Sequence, residues 1–423
     1  MSNLGPDPLR VYIINQTVHW LIVGLVFPIL VLFVLAKGLD IFEASLVMSG
    51  YSITTIALEL PTGGLADAIG RKRVYLLSLA VTLIGYVMIV LVSGFVLIFV
   101  SAAVMGAARA LSSGSIEAWF IDEFHRTNPH GNLQHALARA GFFIPLGIGL
   151  GSLIGGAIPS VAAAFSSDVL GNPYAMNFVV AAVIAIIQAA LTAIMVKEAQ
   201  RPFSKGAVME SLRSTPRIIG VSVELGMRNR ITRMLIIAMT VLGFAIAGLE
   251  LLWQPQVSEI LGETSETWVL GVLAAAYFLA SSLGSLVSPT ICEELRNSYA
   301  LVLLLSRIGT AGALIALSFQ QGIFGFAVFY ILIYFITGVE DSPHSTLFNQ
   351  QVPSQHRSTL ISFKSLMLQL GGVAGSVTLG WVANTYNIAT AWQGAGIVLA
   401  ASSIAYLALV LELRNGHEAE ANT

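Results

Sequence analysis

Five carboxylates, Glu59, Glu117, Glu250, Glu340 and Asp341, and one arginine, Arg109, interrupt long apolar runs. Carboxyl groups shielded from water can take up and release protons near neutral pH, so such acids are candidates for proton coupling. Each could equally be a structural ion-pair partner or a hydrated wall residue. Arg109 lies 14 residues into its run, about 21 Å along a helix rising 1.5 Å per residue. A cation at that depth is either functional or paired inside the protein. Glu117, eight residues on, is out of its direct reach and could pair with Arg139 instead. Gln16, His19, Trp253 and Gln254 could line a cavity, although Trp253, followed by Gln254 and Pro255, reads somewhat better as an anchor at the membrane interface. His125, His130 and His135 have the wrong spacing for a metal set: Pro129 and Gly131 interrupt any helix between them, and a solvated loop is the better reading.

The elements that carry these residues follow from composition. Of 423 residues, 56% are hydrophobic and 10% charged, against about 25% charged in soluble domains. A membrane crossing needs about 20 apolar residues. Runs of that length are expected near 11–36, 41–66, 74–93, 95–121, 133–164 and 172–196, then 232–256, 268–290, 299–318, 323–348, 357–385 and 389–413. The first is too long for the hydrophobic region of a cleaved signal peptide and reads as span 1. The chain is therefore expected to be an all-α membrane protein of twelve transmembrane helices. A sizeable soluble enzyme domain has no room, and no nucleophile and base or metal set suggests a membrane enzyme. A net charge of −2 offers nucleic acid nothing to bind, and a single cysteine, Cys292, excludes an intrachain disulfide. Eighteen of the 21 Lys and Arg residues fall on the side carrying both termini, which the positive-inside rule makes cytoplasmic.

A shift of 224 residues aligns Gly114 with Gly338, Pro129 with Pro353, Gly147 with Gly371, Gly151 with Gly375 and Gly156 with Gly380, without a gap. Two pseudo-symmetric six-helix bundles, 1–197 and 231–423, are the economical reading. A cytoplasmic linker over 198–230, with a possible amphipathic helix, would join them. Parallel repeats of this kind place a substrate site near the midplane between the halves.

The loop between spans 2 and 3 reads Gly64-Leu65-Ala66-Asp67-Ala68-Ile69-Gly70-Arg71-Lys72-Arg73. Its glycines allow a tight turn, Asp67 could accept N–H groups at a helix N-terminus, and the basic triplet marks the cytoplasmic face. The loop strongly resembles the signature of the major facilitator superfamily, with Ala68 where that family usually carries a basic residue. The resemblance implies that Asp67 caps or pairs with span 11 in a cytoplasmic gate. It also implies that Arg71 or Arg73 pairs with Asp122 or Glu123 at the end of span 4. The corresponding loop of the second half has Ile291 at the Asp67 position, so one latch is expected. Arg109, followed by Ser112, Ser113 and Gly114, resembles the family's span-4 arginine, which is associated with proton coupling. In span 5, Gly147, Gly151, Gly155 and Gly156 resemble the exporter motif, with Ser152 in place of its proline; ordinary small-residue helix packing explains them equally well.

The resemblance implies a secondary transporter without cofactor or resident metal, working as a monomer in the lipid bilayer of the plasma membrane. Its partners would be a small-molecule substrate and protons. Proton-driven export of small amphiphilic compounds leads, with import or uniport of a metabolite as the alternative and a transporter-like sensor third. Asp67→Asn is expected to lower transport at normal expression, and unchanged rates in reconstituted vesicles would reduce the loop to a topological anchor.

Overall fold

The computed structural model describes residues 7–164, 171–198, 220, 223–262, 266–352 and 357–421, without the side chains of residues 60, 67, 163, 164, 358 and 414–421. The possible amphipathic helix of the linker falls largely outside these residues. Among them there are helices and short turns and no strand. Twelve helices are long and apolar enough to cross a membrane. Spans 1 to 6 are carried by Pro8–Ala36, Ile41–Ile69, Arg71–Leu91, Phe95–Thr127, Leu133–Ala164 and Ala175–Met195. Spans 7 to 12 are Arg230–Leu261, Trp268–Glu294, Tyr299–Leu317, Ile323–Gln351, Arg357–Thr385 and Ile388–Ala421. The chain forms two compact units, Met1–Thr215 with Glu263–Ala275, and Pro216–Gly262 with Ala276–Thr423.

Two spans expected to be continuous are broken. Span 1 tightens into a 3-10 turn at Phe27–Ile29, because Pro28 has no N–H for the carbonyl four residues back. Asn177, fully buried in span 6, donates to the Leu25 carbonyl at 2.7 Å and to the Gly155 carbonyl at 2.7 Å, which serves backbone that water cannot reach. Span 4 is two helices, Phe95–Ser112 and Ser115–Thr127, parted where Gly114 adopts φ 69°. The break would strand the last carbonyls of the first helix. Ser113 N–H and the Ser112 hydroxyl serve Arg109, Thr62 donates to Ala110 at 2.9 Å, and Ser115 donates to Leu111 at 2.7 Å.

Within the first unit, span 5 packs on span 1 by backbone approach. A Cβ on Gly147, Gly151 or Gly155 would run into the carbonyls of Thr17, Leu21 and Leu25 respectively. Gly156 meets Gly271 in the same way, and Thr267 donates to the Gly156 carbonyl at 2.7 Å. Within the second unit, Gly371 and Gly375 of span 11 press on the carbonyls of Thr240 and Phe244 in span 7. The internal repeat thus carries matching helix seams. The exporter-like glycines of span 5 are all engaged in this packing.

Polar side chains finish the helix ends. Asp40 and Glu43 form a reciprocal capping box at the start of span 2. Lys37 donates to the carbonyls of Val90 at 2.5 Å and Val92 at 3.1 Å, placing a cation at the C-terminus of span 3, and partial burial pushes its ammonium below the usual lysine range.

Gly151→Ala and Gly375→Ala are each expected to cost about 1–3 kcal/mol through forced separation of the paired backbones. Gly149→Ala, which has open space at its Cβ position, serves as the neutral control. Thermal unfolding in detergent followed by tryptophan fluorescence should separate the three.

Candidate functional site

In the first unit, Ile69 ends span 2 and Arg71 begins span 3. Only Gly70 lies between, at φ 97° and ψ 144°, a conformation that side chains rarely tolerate. Gly64 and Asp67 belong to the closing turns of span 2. The backbone of Asp67 is thus part of span 2, and its side chain, on which the expected capping role rests, lies outside the described residues. The N-terminus of span 3 is served by Glu198, just past span 6. Its carboxylate accepts from Arg71 N–H at 3.0 Å and Lys72 N–H at 2.9 Å. An anion there satisfies two orphan donors and meets the positive end of the helix dipole. Lys72 Nζ donates to the Ala193 carbonyl at 2.7 Å, and Trp119 Nε1 to the Lys197 carbonyl at 3.0 Å, so the end of span 6 is strapped to spans 3 and 4.

Arg71 Nη1 stands 2.5 Å from Asp122 Oδ2 and also donates to the Ala118 carbonyl. Glu123 is taken by Arg126 at 2.5 Å. Arg73 is exposed and makes no ion pair among the described residues.

Deeper in this unit, Arg109 occupies the last turn before the span-4 break, where the negative end of the helix dipole favours a cation. Its guanidinium lies 5.7 Å from the centre of the Trp20 ring, a cation–π distance, and its charge reaches His19 and Tyr51. No carboxylate pairs with it among the described residues. Glu59 is exposed at the same break and accepts from Ser113 Oγ at 3.3 Å. The pairing of Glu117 with Arg139 is not present: Glu117 sits in the first turn after the break, and its charge is felt at Tyr12, itself bonded to Gln16. The His19 ring meets Trp20 edge-on and Tyr75 at a tilt, with ring centres 5.9 and 6.1 Å away.

The second unit holds two acidic environments of opposite kind. Glu340, 1% exposed, is ion-paired with the fully buried Arg307 of span 9. Arg307 also donates to the Ala238 carbonyl at 2.7 Å, to Ser402 Oγ at 3.2 Å and to Tyr406 at 3.2 Å, while the Tyr406 hydroxyl donates to Glu340 at 3.1 Å. Spans 7, 9, 10 and 12 meet at this knot. Asp341, adjacent in sequence, is exposed and in electrostatic reach of Lys364. These two neighbouring candidates for proton coupling therefore stand in different surroundings, each with its own cation, because successive residues on a helix project about 100° apart.

Glu250 in span 7 is half-buried and has no ion pair among the described residues. Its charge is felt by three tyrosines, Tyr277 of span 8 and Tyr330 and Tyr334 of span 10. Tyr277 and Tyr334 have ring centres 3.8 Å apart, and Tyr330 and Tyr334 5.1 Å apart. Trp253, one helical turn beyond Glu250, stacks on Tyr330 at 5.3 Å. Trp253 is 0% exposed and Gln254 2%, so the interface-anchor reading of Trp253 is overturned. Its ring partner Tyr330 comes from span 10, a contact that hydropathy along span 7 cannot reveal. The sequence reading missed Glu198, the role of Arg307 and these tyrosines. An arginine inside a span demands a buried acid, and that demand alone could have led to the Arg307–Glu340 pair.

The family model of the Major Facilitator Superfamily matches residues 12–291, and the chain belongs to that superfamily. It is thus a multi-pass integral membrane protein that moves a small molecule across a bilayer, a transporter and not an enzyme. No curated protein sequence matches it. Among solved structures, it is similar to the nucleoside transporter NupG, at 15% identity over 96% of this chain and 98% of the other, with a TM-score of 0.75. A POT family transporter in complex with a thioalcohol-conjugated peptide shares 13% identity over 96% of each chain, with a TM-score of 0.72. A bacterial homologue of the human lysosomal transporter Spinster shares 15% over 95% and 94%, with a TM-score of 0.69. These likenesses show the fold, and none points specifically to drug exporters.

Arg307→Met or Glu340→Met alone is expected to destabilise the protein by about 3–5 kcal/mol, because a buried charge is left without its partner. The double substitution should recover most of that loss in a thermal-melt series. Equal melts for all three variants would mean that the pair contributes little to folding.

Proposed function

We propose that this transporter is a proton-driven exporter of small amphiphilic compounds, working as a monomer by alternating access, with both termini cytoplasmic. The observation that carries the reading is Glu250: a carboxyl group at membrane depth, half-buried, without an ion-pair partner among the described residues and on the same helix as Trp253, whose ring meets Tyr330. Such a group can be neutralised by a proton or relieved by a substrate, and competition between the two is the simplest form of antiport. Glu340, by contrast, is committed to Arg307 and serves the stability of its unit. Arg109 supplies a fixed positive charge at the span-4 break, and Glu59, Glu117 and Asp341 remain secondary candidates for proton carriage.

In this reading, Gly64, Asp67, Gly70, Arg71, Lys72, Arg73 and Asp122 form the cytoplasmic gate. Glu198 positions its backbone. Domain limits of 1–197 and 231–423, joined by a cytoplasmic linker, fit the same scheme, and the excess of basic residues on the side of the termini supports their orientation. Uptake of a small metabolite is the second reading. It draws on the full-length likeness to a nucleoside transporter and on the packing role of the span-5 glycines, which removes their value as a sign of export.

The test is proton movement in proteoliposomes loaded with a pH-sensitive dye and challenged with amphiphilic compounds found by a toxicity screen in cells stripped of other exporters. Glu250→Gln is expected to abolish substrate-driven proton flux while exchange at equal pH survives. Wild-type flux in that variant would move coupling to Glu59, Glu117 or Asp341.

A further inference from the structure

Spans 3 and 6 pack side by side in the first unit, and each presents an exposed apolar face that runs up to a cation. On span 3, Leu77, Ile84, Val87 and Leu91 are exposed and follow Arg73 at helical spacing, so they share one face with it. On span 6, the exposed Val183, Ile187 and Ile194 lead in the same spacing toward Lys197, just past the helix end at Met195. The two spans are strapped together at this end. Lys72 Nζ donates to the Ala193 carbonyl at 2.7 Å, and Glu198, next to Lys197, accepts from the N–H groups of Arg71 and Lys72. Lys72, Arg73 and Lys197 are thereby gathered on one edge. None of them makes an ion pair among the described residues, whereas Arg71, Arg126 and Arg230 each have a carboxylate. The Glu198 carboxylate beside them is already committed to backbone.

We propose that this edge binds an anionic phospholipid, with the headgroup on the Lys72, Arg73 and Lys197 side chains and an acyl chain against the exposed faces of spans 3 and 6. Basic residues at the membrane boundary are the side chains that anionic headgroups select. Leu77 to Leu91 covers about 21 Å of helix, more than the half-thickness of about 15 Å that the chains of one leaflet fill. Lys72 keeps two N–H donors after serving Ala193, and Arg73 offers all five of its guanidinium donors. A zwitterionic lipid brings its own ammonium and leaves the protein's cations uncompensated. A free phosphate would have no apolar anchor, and the span-3 N–H groups that could hold it are taken by Glu198. A lipid seated here ties the start of span 3, and with it the Arg71–Asp122 pair, to one leaflet of the bilayer. It would do so whatever the substrate and the direction of transport.

The test counts bound lipid by native mass spectrometry on the full-length protein in detergent, titrated with dioleoyl phosphatidylglycerol or dioleoyl phosphatidylcholine. A phosphatidylglycerol adduct that saturates ahead of any other and raises the melting temperature is expected, without a phosphatidylcholine counterpart. Arg73→Gln and Lys197→Gln should each weaken it about fivefold and the double substitution about thirtyfold, the worth of one and two basic residues beside an anionic headgroup. Arg10→Gln with Arg139→Gln removes the same charge from exposed positions elsewhere in the first unit and should bind like the wild type. Ile194→Ser changes no charge and should weaken the adduct about threefold through lost acyl contact. Melting temperatures report folding of each variant, and if the Arg73/Lys197 double variant fails to fold, the contrast between Arg73→Lys and Arg73→Gln decides. No saturable phosphatidylglycerol adduct on the wild type, equal binding of phosphatidylcholine, or displacement by inorganic phosphate would each overturn the assignment. So would an equal loss in the Arg10/Arg139 variant, or full binding by the Arg73/Lys197 variant.

Discussion

Water is missing at the depth where most of this chain resides, and that single absence governs its architecture. Every N–H, carbonyl and charge that a break or a polar residue exposes has to be matched by the protein itself. The kink at Pro28 is matched by Asn177, the gap at Gly114 by Thr62 and Ser115, and the end of span 3 by the ammonium of Lys37. None of these side chains is a neighbour in sequence of the helix end it serves, apart from Ser115. Local irregularity in one span is therefore recorded as a polar residue in another.

Charge is treated in three ways under the same constraint. Arg307 and Glu340 cancel each other inside a knot of four spans. Arg109 rests on the face of Trp20 at the negative end of a half-helix. Glu250 alone is left against aromatic rings with no opposing charge among the described residues. A pair that cancels contributes to cohesion, whereas an uncancelled, half-buried group is left to respond to what arrives. The division of labour between Glu340 and Glu250 follows from their partners, since both are glutamates within long apolar helices.

Twelve spans and a doubled architecture were legible because hydropathy and glycine spacing are local properties. The shared register proved to have a physical cause: Gly147 and Gly151 press on Thr17 and Leu21 as Gly371 and Gly375 press on Thr240 and Phe244. What escaped the sequence was contact at long separation. Glu198 reaches Arg71 across 127 residues, Arg307 finds Glu340 across 33, and Trp253 is covered by a helix about 75 positions on. The register also suggested more likeness than exists, because Gly338 stays within an unbroken helix whereas Gly114 parts span 4.

The glycine seams have a consequence for motion. Helices joined carbonyl-to-Cα over three successive turns cannot slide without lifting apart, so spans 1 and 5 behave as one beam, and spans 7 and 11 as another. Bending is then left to the discontinuities, the 3-10 turn at Pro28 and the left-handed residue at Gly114. The first unit carries both of these joints, while spans 7 and 10 hold Pro255 and Pro343 inside helices that stay continuous. Within the first unit, a change of shape is then expected to hinge at these two joints while the seam of spans 1 and 5 keeps its register.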